Sequence, residues 1–129
     1  MKKDVFLTEI INLAALKKPL EVDVTLLVDG TLVTGFIISH ETWLAHHPAL
    51  VGINDAINQS YQQQAEKGTP EPVYDGPNYI HLRDARCVYP GNKVIPFPDG
   101  MYMRIPLVSV SSFTLGYLGE PPAGANPPA

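Results

Sequence analysis

Leu20–Ser39 reads LEVDVTLLVDGTLVTGFIIS, and the rest of the chain is arranged around it. Val22, Val24, Leu26 and Val28 alternate with Glu21, Asp23, Thr25 and Leu27, the period of two expected of a half-buried strand. Asp29-Gly30 sits between two such runs. A two-residue hairpin turn needs positive φ, and Asp-Gly supplies it at little steric cost. The stretch therefore predicts strands over about 20–28 and 31–39, with Gly30 setting their register. Gly35 lies inside the second strand, where a glycine marks a bend or a close backbone approach.

Upstream, residues 4–18 predict an amphipathic helix. Asp4 suits the N-cap. Phe6, Ile10 and Leu13 form one apolar row, and Leu7, Ile11 and Ala14 form the next. Lys17 and Lys18 complement the negative end of the helix dipole, and Pro19 stops it. Asp4, Thr8, Glu9 and Asn12 interrupt the apolar residues at helical intervals, so the segment reads as a helix covering one end of a barrel and not as a secretory leader.

Downstream, Ser39 suits an N-cap for a short helix over Glu41–Ala45, and Pro48 is expected to interrupt it. Residues 54–67 predict a second helix, with Ile53, Ile57 and Tyr61 on one row and Gly68 at its end. Together these make a surface helical insertion over about 41–67. Residues 68–78 and 90–100 are rich in Pro and Gly and read as loops. Between them, 79–89 predicts a strand. Ile80 and Leu82 face inward first, then Ala85 and Cys87, so a bulge is expected near Arg83-Asp84. Strands follow over about 101–108, with Met103, Ile105 and Leu107 inward, and 112–118, with Phe113, Leu115 and Tyr117 alternating. A one-turn 3₁₀ link is expected between these two. The tail from 119 to 129 is low in complexity and expected to be disordered, leaving 1–118 as one domain. Helix, two strands, helical insertion and three strands describe an Sm-like (SH3-type) five-stranded small barrel, mainly β with added helices.

Composition bounds the function. The chain has 129 residues, 45% of them hydrophobic, enough for one core. Its net charge of −4 argues against a general nucleic-acid binder, which needs clustered Lys and Arg. One cysteine, Cys87, allows no disulfide within the chain and fits a reducing cytoplasm. No apolar run has the length of a membrane span.

Chemistry-bearing residues are sparse. His40, His46, His47 and His81 lack the spacings that make zinc ligands converge. Cys87 and His81 lie six residues apart on one strand, about 20 Å in extended chain, which rules out a thiol–base pair. No phosphate-binding glycine loop is present, so neither a catalytic residue nor a cofactor is expected. Arg83, Arg86 and Arg104 lie among Tyr79, Tyr89 and Tyr102. That pattern permits single-stranded RNA contacts by stacking and phosphate pairing, but ion pairs with Asp84, Asp99 and Glu21, with the Arg stems covering apolar surface, are the favoured reading in an acidic chain. Trp43 is read as a core or interface anchor.

Three blocks resemble the gas-vesicle accessory protein GvpU family. They are Val28, Gly30, Gly35, Ile38 and Ser39 in the hairpin; Ile80-His81-Leu82; and Arg104, Val110, Phe113, Leu115 and Gly116 near the end. The resemblance covers Leu20 to Leu118. It implies an accessory protein without enzymatic activity, acting on gas vesicles by binding their shell or one another. The partners expected are a second copy, joined through edge strands, and a gas-vesicle shell protein. The expected interface residues are Trp43, Tyr102, Arg104, Phe113 and Tyr117. The alternative is an Sm-like protein binding RNA through Arg83, Arg86 and Arg104.

Overall fold

Asp29 (φ 48°) and Gly30 (φ 84°) both adopt positive φ, and around them the quoted stretch folds as the expected hairpin. Strand β1 (Asp23–Val28) pairs with β2 (Thr31–Ile38), with Val28 opposite Thr31. The computed structural model describes residues 4–16, 18–68, 77–89, 93–94 and 101–120. The loop expected at 68–78 falls mostly outside these residues, as does most of the 90–100 loop. The tail falls outside them after residue 120.

In chain order, α1 (Val5–Ala14), β1 and β2 are followed by α2 (His40–Ala45) and α3 (Pro48–Glu66). Then come β3 (Tyr79–Tyr89), β4 (Lys93–Val94), β5 (Met101–Pro106), a 3₁₀ turn (Leu107–Ser109) and β6 (Val110–Leu115). All pairings are antiparallel, in the order β4-β3-β2-β1-β6, with β5 also on β3. The 3₁₀ turn carries the chain from β5 on one side of the sheet to β6 on the other. Among the described residues no ladder joins β5 to β6, so the sheet is open.

β2 is buried from Val33 to Ile38 without a break, because both of its faces are covered. On the inner face, Val24, Leu26, Val33, Ile37, Ile80, Leu82, Ala85 and Ile105 form the core with Leu7, Ile11 and Ala14 of α1. Burying a side chain the size of Leu7 or Ile11 contributes roughly 2 kcal/mol. Asp4 caps α1, its carboxylate accepting from Leu7 N–H at 3.1 Å. The helix is shorter than expected: it is capped at Ala15. The row of Leu7, Ile11 and Ala14 is buried in the core, and of the second row Ile10 packs against it. Phe6 on that second row is 77% exposed, and Leu13 is exposed too.

The bulge in β3 lies where the inward pattern changes. Thr34 faces Arg86 and Phe36 faces Arg83, so β3 has one residue more than β2 between these pairs. The β5 ladder shows the same extra residue, with Leu82 opposite Met103 and Ala85 opposite Met101. Asp84 takes it up at φ 51°. Gly35 lies beneath this bulge. A Cβ there would sit 3.1 Å from Leu82 Cβ, 3.2 Å from the Arg83 carbonyl oxygen and 3.3 Å from Ala85 Cα. Its role is therefore close approach of two strands.

The insertion differs from expectation in one respect. α2 ends ahead of Pro48 as expected, but α3 begins at Pro48 itself and not at residue 54. Proline is tolerated there because its missing N–H would have no intrahelical acceptor. α3 buries none of its residues, and Ile53, Ile57 and Tyr61 are exposed along it.

Candidate functional site

The outer face of the sheet is built by register. Phe36 and Ile38 of β2 stand opposite Arg83 and His81 of β3. His81 stands opposite Arg104 of β5, and Tyr102 lies two residues from Arg104 on the same side of the strand. Ser39 ends β2 by capping α2, its hydroxyl oxygen accepting from Thr42 N–H at 3.0 Å. This brings His40 and Trp43, one helical turn apart, over His81 and Arg104.

The resulting cluster is aromatic and tightly packed. Trp43 is 7% exposed. Its ring centroid lies 5.0 Å from that of His81 and 4.7 Å from that of His47. His40 Nδ1 and His81 Nε2 are 3.5 Å apart. Arg104 places its guanidinium 3.8 Å from the centre of the Tyr79 ring and 5.7 Å from that of Trp43. His46 stacks on Tyr102 with centroids 3.9 Å apart, and its Nδ1–H donates to the Thr42 carbonyl at 2.9 Å. Burial lowers the His81 pKa to about 4, helped by the nearby His40 and Arg104. His81 is therefore neutral at neutral pH. Beside this cluster, Ile11, Ser39, His40, Tyr79, His81 and Arg104 help to line a cavity of about 410 Å³.

The other end of the outer face is closed differently. Arg83 lies 4.2 Å from the Phe36 ring centre and pairs with Glu21 at 2.9 Å and Asp84 at 2.6 Å. Burial opposes the Arg83 charge, but its hydrogen bonds to Glu21 and Asp84 outweigh that and raise its pKa. Tyr117 stacks on Phe36 and donates its hydroxyl proton to the Asp84 carbonyl at 2.6 Å. Burial raises the Tyr117 pKa. Thr34 Oγ1 accepts from Leu118 N–H at 2.9 Å, and Thr25 donates to the Gly116 carbonyl at 2.9 Å. The segment after β6 thus covers the hairpin's threonines.

The residues singled out from sequence fall in both regions. Arg104, Tyr102 and Trp43 belong to the first cluster and Tyr117 to the second. Phe113 packs against the core. Trp43 is buried, and Tyr117 packs on Phe36. Nothing in the arrangement supports RNA binding. Arg83 is neutralised by carboxylates, and Arg86 donates to the Glu120 carbonyl at 2.7 Å beside Tyr117. Arg104 belongs to the other cluster. Cys87 is half-buried, and burial raises its pKa. Among the described residues no three His, Cys, Asp or Glu side chains gather as metal ligands. Sequence reasoning weighed His40 and His81 as metal ligands, and His81 also as a base for Cys87, and missed their pairing. The available signal was Ser39 as a cap, which turns His40 back over the sheet.

Fold and outer face together define a small, mainly β domain with helices laid on an antiparallel sheet. The family model described as "Gas vesicle protein GvpU-like" matches residues 4–118. The chain belongs to this GvpU-like family, as the three sequence blocks led us to expect. No curated protein and no solved structure matches it.

Proposed function

We propose that the chain is a non-enzymatic gas-vesicle accessory protein of the cytoplasm, acting by self-association or by binding a protein shell such as the vesicle's. Family membership over 4–118 carries this reading. Exposed apolar residues support it: Phe6 and Leu13 on α1, and Ile53, Ile57 and Tyr61 on α3. So does β6, which ends the sheet order and among the described residues pairs only with β1. An unpaired strand edge is a template for another strand.

The same reading treats the open sheet as an Sm-like barrel whose copies join through β5 and β6. The strand order and the 3₁₀ link between these strands are in keeping with it. Tyr102, Arg104, Phe113 and Tyr117, on or beside the two strands, are then the residues nearest the joint. No helix among the described residues is long and apolar enough to cross a membrane.

Flotation tests the proposal. Purified gas vesicles rise on low-speed centrifugation and carry bound protein with them. The chain is expected in the floating layer, or as an oligomer by size exclusion with light scattering. Protein left wholly below the vesicles and eluting as a monomer at high concentration overturns both modes of action.

A further inference from the structure

We propose that the cavity between α1, α2, β3 and β5 is a binding site for a single carboxylate carried on a small apolar body. At about 410 Å³ the cavity lies within the range of small-molecule sites, roughly 300–1,000 Å³. Its walls supply both parts of such a ligand's surroundings. Ile11, Ala15, Pro77 and the Tyr79 ring line it with apolar surface, while His40, His81 and Arg104 bring polar atoms to it.

Arg104 provides the charge. Its guanidinium face is taken by the Tyr79 ring at 3.8 Å. Stacking uses the face and leaves the N–H groups at the edge, which form a planar fork matched to a carboxylate. Among the described residues no carboxylate pairs with Arg104; the ion pairs found there both belong to Arg83. Arg104 is exposed and lines the cavity, so the edge of its guanidinium can receive an anion there.

The imidazole pair provides a further donor. His40 Nδ1 and His81 Nε2 lie 3.5 Å apart, within reach of one hydrogen bond whose donor depends on the tautomers. Whichever ring donates across this contact, the ring nitrogens that face away from it remain to meet a ligand. His81 carries no charge of its own at neutral pH. The titratable groups on the walls are thus His40 and Glu41 of α2, Tyr79 and His81 of β3, and Arg104 of β5. One fixed cation beside one acidic residue favours a monoanion over a dianion such as phosphate. This site is independent of vesicle binding: a chain that fails to float can still bind the ligand, and the reverse.

The chain reports on the site itself. Trp43 is its one tryptophan, and the ring lies next to both His81 and Arg104. Butanoate, butanamide and inorganic phosphate are titrated separately at neutral pH. Trp43 fluorescence and the His81 imidazole resonances are followed. Butanoate is expected to saturate, with butanamide and phosphate each at least about tenfold weaker. Arg104→Gln is expected to weaken butanoate by about tenfold or more, and Arg86→Gln, at the other end of the face, to leave it unchanged. Equal binding of butanamide, tighter binding of phosphate, an unaffected Arg104→Gln variant or no saturation by butanoate each overturns the proposal. If Arg104→Gln does not fold, the acid–amide comparison on the unaltered chain still decides it.

Discussion

The outer face of the sheet carries a stacked arginine at each end, and the two are treated in opposite ways. Arg83 lies over Phe36 with Glu21 and Asp84 closed on its guanidinium. Arg104 lies over Tyr79 with histidines and a tryptophan around it and a cavity in front. The first arrangement is saturated: its charge is spent on holding the bulge, the β1 entry and Tyr117 together. Among the described residues the second has no carboxylate closed on it. An arginine on an aromatic ring is thus no signal by itself; what distinguishes the two is whether a carboxylate from the same chain completes the site.

The contrast can be broken at its base first. Gly35→Val places a branched side chain against Leu82, the Arg83 carbonyl and Ala85. It should displace the bulge and cost about 3 kcal/mol or more in urea unfolding. A variant as stable as the parent would mean that the close approach of β2 and β3 is not what supports the Arg83 end.

Acid sharpens the contrast at the other end. The His81 pKa is held at about 4, below its ordinary 6.5. Between these values the unfolded chain binds the proton and the folded chain does not. Stability from this group is therefore complete above pH 6.5 and is lost as pH falls toward 4, by up to about 3 kcal/mol. His81→Gln should remove that part of the slope when unfolding is measured across the window. An unchanged slope would show that His81 is not held neutral.

The direct comparison is the smallest effect. Arg83→Met leaves Glu21 and Asp84 without their partner and should cost about 2 kcal/mol. Arg104→Gln gives up only its ring contacts and should cost less than about 1 kcal/mol. Equal losses by chemical denaturation would erase the distinction drawn between the two ends.

What could be read from the chain beforehand was what is local. Asp29-Gly30 carries its turn chemistry in two residues, Ser39 its cap in four, and the bulge shows where inward positions pass from Ile80 and Leu82 to Ala85 and Cys87. The cavity was not legible, because it depends on which residues meet across strands. His81 and Arg104 are opposite one another only through the β3–β5 register, and α1 reaches the same cavity from the other end of the sequence. The start of α3 was misplaced for a different reason: the proline that separates it from α2 also begins it, so α3 starts at Pro48 and not at residue 54. The exposed row of α1 shows the limit of periodicity. Phe6 and Leu13 repeat as regularly as Leu7 and Ile11, but of their row only Ile10 packs against the core.

The extra residue at Asp84 also acts as a shift of reading frame in the pleat. In an unbroken strand, Arg83 and Arg86, three positions apart, would point to opposite faces. With one position absorbed at the bulge they lie on the same side, Arg83 against Phe36 and Arg86 toward Tyr117. Ahead of the shift, the odd-numbered positions Tyr79, His81 and Arg83 dress the outer face; behind it, the even-numbered Arg86 does. One strand can thus furnish both the open cluster and the closed one while keeping the core supplied from its other side throughout.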